Sequence, residues 1–182
     1  MNWKFGISAR LYCLVGTLVL SVCAIAYLGL TNLKENLLQD RKEKTREHVE
    51  VVYSLVKNYA SLAIEGKISE ADAKNAAMQA IASLRYSGKE YFWVNDTKPR
   101  MVLHPTRKEL VGKDLTDFKD AKGNTIYLGF SQVAKAGGGF YDYWFPKPGS
   151  DTMFPKLAYV KLYEPWDWVI GTGVYIDDVD AI

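Results

Sequence analysis

A run of aromatic residues in the second half of the chain has the residue types of a binding site. Tyr91 and Trp93 lie two positions apart, and residues at that spacing in a strand point to the same face of a sheet. His104 ends the next apolar run, immediately before Pro105. Aromatic side chains with polar tips suit a hydrophobic core as well as a pocket for a small molecule. We predict that Tyr91, Trp93 and His104 line such a pocket.

Cationic and hydroxyl side chains elsewhere in the sequence could complete the pocket. Lys161 stands in register with apolar residues of a predicted strand, where its ammonium must face water or an anion because an unpaired buried charge is costly. Arg85 offers a second cation, although it is also placed to cap the carbonyls at the end of a predicted helix. Lys156 follows Pro155 and is expected in a loop. The remaining candidates are three tyrosine hydroxyl groups, those of Tyr86, Tyr143 and Tyr159.

This combination of side chains fits a small organic acid anion. Cations and hydroxyl donors hold a carboxylate through charge-assisted hydrogen bonds, and an imidazole can donate in its neutral or its protonated form. Since one buried methylene contributes only ~0.8 kcal/mol, steric exclusion by the aromatic walls has to set the length of the ligand. The prediction depends on Trp93, His104 and Lys161 enclosing one positively lined chamber. In the alternative, the protein is a structural dimer module, His104 is a structural residue and the aromatic residues are all core.

Catalysis is a further alternative, in which His104 and a nearby aspartate form the acid–base pair of an exported hydrolase. The sequence has no nucleophile elbow, no HExxH motif and no paired carboxylates on a shared element. Three consecutive glycines, 137–139, are not followed by the GK[ST] of a phosphate-binding loop, and no metal-ligand constellation accompanies Asp177 and Asp178. We therefore expect a protein that is not an enzyme and that has no metal or other cofactor.

The elements that position these residues start with an uncharged apolar segment near the N-terminus. Residues 11–31 have the length needed to cross a membrane as one helix. The charged residues before it are all basic, which predicts that residues 1–10 stay in the cytoplasm and that residues 32–182 form a domain outside, in the periplasm of a Gram-negative source. A cleaved signal peptide is the alternative, because Ala24-Ile25-Ala26 fits a cleavage site, but the apolar core of such signals is usually only ~7–15 residues.

A long amphipathic helix, roughly Asn32 to Glu65, is predicted by apolar residues that recur at spacings of three and four. Its middle is charged nearly all round, which predicts that part of it stands in solvent. The apolar stripe predicts a homodimer contact along part of this helix; in the alternative, the stripe covers only the sheet of its own domain. A second helix is expected to start at Ser69, with Asp72 three residues later, and to stop by Gly88.

Short aromatic and β-branched runs alternate with turn residues from Lys89 onward, and they predict an antiparallel sheet of about five strands. A short helix is expected within residues 124–137. Because the helices come first and the sheet afterwards, the predicted fold class is α+β. The formal net charge of +2, from 23 basic and 21 acidic residues, gives no electrostatic footprint for binding nucleic acid.

Five blocks of sequence in a fixed order carry a resemblance to a known family. They are YFWVND at 91–96, MVLHP at 101–105, GKDLTDFKD at 112–120, GGGFYDYWFPKPG at 137–149 and PKLAYVKLYEPWDWVIGTGVYIDDV at 155–179. These blocks resemble the single Cache domain, type 2, of bacterial methyl-accepting chemotaxis receptors. The resemblance runs from about Lys34 to Val179, which is most of the chain.

The resemblance implies a periplasmic ligand-binding domain with a PAS-like sheet and a long N-terminal helix, held in the bacterial inner membrane as part of a transmembrane receptor. Ligands of the family are often small carboxylates such as acetate, propionate, pyruvate or lactate. In that family a second membrane helix, a HAMP linker and a methyl-accepting coiled coil would follow, so we expect a longer receptor to continue past Ile182. Similar domains also precede histidine kinases and cyclases, which leaves the output open.

Overall fold

A single helix runs through both the predicted membrane segment and the predicted amphipathic helix. The computed structural model describes residues 6–147 and 149–180, so the first half of the predicted cytoplasmic segment, residues 1–5, lies outside the described residues. Helix α1 (Ile7–Ile64) is 58 residues long. It contains an apolar stretch long enough to cross a membrane, and none of that stretch is buried inside the protein. The predicted membrane segment and the predicted helix of the domain are thus one continuous element.

Helix α2 (Glu70–Ser83) packs against α1 through small residues. It starts as predicted, because the Ser69 side chain accepts a hydrogen bond from the backbone N–H of Asp72 at 3.0 Å. It ends at Ser83, before the predicted stop at Gly88, and the next residue already has an extended backbone. The buried side chains of this helix are Ala73, Ala77 and Ile81.

Five antiparallel strands form one sheet in the order β2-β1-β5-β4-β3. In chain order they are β1 (Phe92–Asn95), β2 (Met101–Leu103), β3 (Gly139–Pro146), β4 (Met153–Tyr163) and β5 (Trp168–Tyr175). Helix α3 (Ile126–Lys135) comes between β2 and β3, and the short helix α4 (Asp177–Asp180) follows β5. Single 3-10 turns cover Lys108–Leu110 and Glu164–Trp166. The predicted α+β fold with its five strands is confirmed.

Helices pack on both faces of the sheet. Since strand side chains alternate in direction, each strand contributes residues to both faces. We call the face that packs against α1 and α2 the α1 face, and its buried strand residues include Phe92, Val94, Trp168 and Ile170. The opposite side packs against α3 and is called the α3 face, and its buried strand residues include Trp93, Ala158, Val160 and Val169. Each face therefore has its own hydrophobic core, and the site has to belong to one of them.

The buried stripe of α1 covers the sheet and α2 of its own chain. Its buried members follow the helical spacing expected of such a stripe, and they are Thr45, Val49, Val52, Val56 and Ala60. This arrangement corresponds to the alternative in which the stripe covers the domain's own sheet. Val51, on the outward side of α1, is 68 % exposed.

Candidate ligand-binding site

Four of the eight predicted site residues come together on the α3 face. Tyr91, Trp93, His104 and Tyr143 are each 4 % exposed or less. Their rings belong to one buried aromatic group, in which the His104 ring centroid lies 5.0 Å from that of Tyr91. Tyr91 and Trp93 come from the start of β1, His104 from the end of β2 and Tyr143 from β3. The antiparallel order of the strands thus gathers half of the predicted site from distant parts of the sequence.

Lys156 is the cation of this group, and the prediction that it lies in a loop is wrong. Strand β4 begins at Met153, and Lys156 pairs with Tyr175 of β5 on the α3 face. Its side chain is 1 % exposed, and its ammonium nitrogen lies 4.8 Å from the ring centroid of Tyr91 and 4.4 Å from that of Tyr175. Burial lowers the pKa of Lys156 to about 8, and the nearby Glu90 carboxylate offsets only part of that effect.

Lys161 lies on the opposite side of the sheet, so the prediction that it shares a chamber with Trp93 and His104 is wrong. It has the opposite parity to Lys156 in β4 and points to the α1 face. Its ammonium nitrogen lies 2.8 and 2.7 Å from the two carboxylate oxygens of Glu50 in α1. The anion that the sequence requires for Lys161 is therefore a glutamate of the same chain.

Arg85, Tyr86 and Tyr159 also lie apart from the buried aromatic group. Arg85 is exposed and donates to two carbonyls at the end of α2, which is the capping role that the sequence offered as its alternative. Tyr86 hydrogen-bonds Thr172 at 2.7 Å and stacks on His48 of α1. Tyr159 packs against the core of the α1 face. Spacing in the sequence did not exclude these side chains from the site. It shows which residues of one strand share a face, but not whether that face is the α1 face or the α3 face.

His104 is a neutral hydrogen-bond donor at this site. Its Nδ1 accepts the backbone N–H of Arg107 at 3.1 Å, which assigns the ring proton to Nε2. Burial, together with the positive charges of Lys156 and Arg107, lowers the pKa of His104 to about 3. Among the described residues no aspartate is hydrogen-bonded to this ring, so the acid–base pair of the hydrolase alternative is not formed there.

Trp93 contributes a second buried donor. Its Nε1 is buried and has no hydrogen-bond partner within residues 6–147 and 149–180. The indole ring stacks on Phe130 of α3, with centroids 5.0 Å apart, and lies against Gly171 of β5. A Cβ atom at position 171 would come within 2.5 Å of the Trp93 ring, so glycine is required for this packing. A buried N–H without an acceptor is costly, and a ligand oxygen would satisfy it.

An open pocket of about 390 Å³ adjoins the buried group. Tyr91 and Phe145 belong to both, and the rest of the lining comes from the segments that follow β2 and β3. Arg107 and Lys147 place two further cations on this lining. Arg107 is ion-paired with Glu109, and Lys147 with Asp177. Glu109 and Asp151 also line this pocket, so its two cations are balanced by two acidic residues.

Several of these residues were missed by reasoning from the sequence. Lys156 carried a usable signal, since it alternates with Ala158 and Val160, but Pro155 obscured the start of the strand. Arg107 and Lys147 lie in irregular segments, where spacing gives no information on direction. Within the described residues, no cluster of histidine, cysteine or acidic side chains is arranged to hold a metal ion.

Comparison with known proteins identifies the family to which this sheet and long helix belong. The family model for the single Cache domain 2 matches residues 37–182. The chain belongs to this family. Its α+β architecture is accordingly the Cache fold, with the sheet and the long N-terminal helix that the resemblance implied.

Two curated relatives show the setting in which such a domain occurs. The chain is 36 % identical over 182 residues to the methyl-accepting chemotaxis protein McpP of Pseudomonas putida, covering 98 % of this chain and 33 % of that protein. It is 32 % identical over 157 residues to the sensor histidine kinase MctS of Rhizobium johnstonii, covering 86 % of this chain and 33 % of that protein. The chain thus spans about a third of the length of these relatives.

Two solved structures share the fold over nearly their whole length. A "Periplasmic sensor domain of chemotaxis protein" is 45 % identical with a TM-score of 0.76, covering 77 % of this chain and 98 % of its own. A second, described as "Structural basis for carboxylic acid recognition by a Cache chemosensory domain", is 36 % identical with a TM-score of 0.75, covering 79 % and 98 %. The chain is therefore homologous to periplasmic sensor domains of chemoreceptors.

Proposed function

We propose that this chain is the sensor region of a transmembrane chemoreceptor and binds a small carboxylate, of the acetate, propionate, pyruvate or lactate type, on the α3 face. One observation carries the proposal. The ammonium of Lys156 and the ring N–H donors of Trp93 and His104 all belong to buried side chains of the same aromatic group. The relative described as recognising carboxylic acids supports the same ligand class. A purely structural module would gain nothing from an unpartnered indole N–H in its core.

Each polar group has a distinct task in binding the anion. Lys156 supplies the opposite charge, and the N–H groups of Trp93 and His104 direct the carboxylate oxygens. Hydrogen bonds to a charged partner contribute about 1.5–3 kcal/mol each, more than bonds between neutral groups. Tyr91 and Phe145 belong to this group and to the lining of the pocket of about 390 Å³, so an acid tail that enters the pocket would lie against their rings. The buried charge of Lys156 supports an anionic ligand.

The continuous helix α1 connects the site to the membrane. We propose that residues 11–31 span the inner membrane, with residues 1–10 in the cytoplasm and residues 32–182 in the periplasm. Beyond the proposed span, Arg41 of α1 donates to the backbone carbonyl of Tyr175 at 2.8 Å and pairs with Asp178 of α4. The end of β5 is thereby tied to α1. A ligand that favours one of two arrangements of β5 would shift α1 as well.

The longer relatives support two candidate outputs for the receptor. The 36 % identity to McpP favours a methyl-accepting chemotaxis output, and MctS makes a histidine kinase the second candidate.

We also propose a homodimer contact through the outward side of α1, where Val51 is exposed. Sedimentation of the full chain in detergent is expected to give a dimer that Val51→Lys weakens. A monomeric wild-type chain at high concentration would rule out this contact.

Calorimetric titration of the full chain in detergent tests the ligand class. The four acids acetate, propionate, pyruvate and lactate are compared with acetamide and propionamide, which match two of them in shape but carry no charge. At least one acid is expected to bind and neither amide, because only an anion compensates the buried ammonium of Lys156. Absence of binding by all four acids, or equal binding of an acid and its amide, would refute the proposal.

A further inference from the structure

Glu90 lies between the two sides of the sheet, immediately before Tyr91. Its side chain is 15 % exposed, and its Oε2 lies 3.6 Å from the ammonium nitrogen of Lys156. That oxygen is buried and has no hydrogen-bond partner within the described ranges, so the two charges attract each other without a hydrogen bond. On its other side Glu90 lines a cleft of about 780 Å³ next to α1, together with His48 and Tyr86.

Several charged groups that line the cleft beside Glu90 are already ion-paired. On the cleft side, Arg41 pairs with Asp178, Lys44 with Asp40 and Lys147 with Asp177. The other ionisable groups lining the cleft are His48 of α1, Tyr86 and Lys89 before β1, and Tyr175 at the end of β5. Within the described residues, Glu90 is thus the acid that faces Lys156.

The ion pair between Glu90 and Lys156 is held at a cost to both groups. Burial raises the pKa of Glu90 and lowers the pKa of Lys156, and in each case it outweighs the attraction between them. A buried pair with poor geometry does not recover the free energy of removing its charges from water. The pair is therefore one that a better-placed anion can replace.

We propose that Glu90 is the resident counter-ion of Lys156, and that an incoming carboxylate must displace it to bind. This inference rests on the proposed function of the site. Displacement makes Glu90 a determinant of affinity, because the measured free energy of binding is reduced by the attraction that is lost. It also restricts the occupant to anions, since a neutral molecule that moved Glu90 aside would leave Lys156 unpaired.

The displaced carboxylate has a destination on the α1 side of the sheet. The cleft that Glu90 lines also contains His48 of α1, whose buried Nδ1 has no hydrogen-bond partner in the described part of the chain. Tyr86 stacks on that histidine ring at 4.2 Å and is bonded to β5 through Thr172. Movement of Glu90 into the cleft would therefore change the surroundings of α1 when a ligand occupies the α3 face. Helix α1 is the element that we propose to enter the membrane.

Titration of the full chain with the four acids at about pH 7, for wild type and Glu90→Gln, tests the inference. Glutamine keeps the size of the side chain and removes the competing charge, so affinity is expected to rise about tenfold, a fraction of the attraction between two charges near a protein surface. Glu90→Ala is the second neutral variant and is expected to raise affinity as well. Glu164→Gln is the matched control, because it removes one charge from an exposed residue outside the site, and it is expected to bind like wild type.

The possible outcomes separate this inference from the function on which it rests. Tighter binding by both neutral variants, or binding by them alone, supports displacement of Glu90. Acid binding by wild type with unchanged or weaker binding by folded Glu90→Gln and Glu90→Ala overturns the role of Glu90 and leaves the carboxylate site intact. Absence of binding by wild type and by both variants overturns the site itself.

Discussion

Lys156 and Lys161 lie on the same strand, five residues apart, and have opposite surroundings. Lys161 reaches the α1 face, where both oxygens of Glu50 contact its ammonium within 2.8 Å. Lys156 reaches the α3 face, where it is 1 % exposed and its acid partner lies 3.6 Å away. Lys161 is paired closely within its own chain, whereas Lys156 is the lysine that we propose to bind another anion. The alternation of strand side chains thus separates a structural ion pair from the proposed ligand site.

The largest effect that distinguishes the two faces is expected from Gly171→Val in β5. The new side chain would enter the space of the Trp93 ring, which Phe130 holds from the other side, and such overpacking costs about 1–3 kcal/mol or more. We expect loss of stability together with loss of acid binding. Ile170→Val, on the α1 face of the same strand, is the control: it costs about 0.5–1.5 kcal/mol and retains binding. Thermal melting and titration of both variants measure this, and normal affinity in a folded Gly171→Val chain would contradict it.

Trp93→Phe is expected to have a smaller effect that is confined to affinity. It removes the buried Nε1 donor but keeps an aromatic ring against Phe130, so binding of the acid should weaken about tenfold or more. Stability without ligand should not fall by the cost of a lost hydrogen bond, since none is made within the described residues. Trp168→Phe on the α1 face is the matched control, with affinity within about twofold of wild type. If both variants bind the acid equally well, Trp93 does not contact it.

The smallest effect is the acid dependence of stability that His104 contributes. Its pKa is lowered from the ordinary 6.5 to about 3 in the folded chain, so the unfolded chain binds the proton more readily. The stability linked to His104 is therefore fully present above about pH 6.5 and is lost as the pH falls towards 3, by up to about 1.4 kcal/mol per pH unit. Urea unfolding at about pH 7 and about pH 5.5 should show a shallower decline for His104→Gln than for wild type. Equal declines would mean that His104 is not buried as a neutral ring.

The sequence was informative where a pattern repeats along one element. The period of α1, the Ser69 cap and the alternation in the strands predicted the fold, and the alternation placed Tyr91 and Trp93 on one face. The prediction that Lys161 is the cation of the ligand site was wrong. A lysine inside a strand indicates that an anion is near, but the sequence does not show whether that anion is a ligand or an acidic residue of the chain. For Lys161 that anion is Glu50 of the same chain, which lies 111 positions earlier and meets it only after folding.

Proline and irregular segments account for the rest of the differences. Pro155 made the start of β4 look like a loop, and this removed Lys156 from the candidate set. Arg107 and Glu90 lie next to strands in segments without a repeating pattern, so their direction depends on tertiary packing. The Trp93 side chain was predicted from the sequence, but the burial of its N–H, with no partner among residues 6–147 and 149–180, is a property of the folded chain.

Titration of Lys156→Met and Lys161→Met side by side, with the four acids and the full chain in detergent, is the most direct test of the central claim that Lys156 holds the ligand. The two variants remove the same charge from the same strand and differ in the face they affect. Lys156→Met is expected to weaken binding at least about 100-fold, as for loss of a buried charge partner, and Lys161→Met to stay within about twofold of wild type. The proposed site would be contradicted if Lys156→Met binds the acid as tightly as wild type, or if a folded Lys161→Met chain loses more affinity than Lys156→Met.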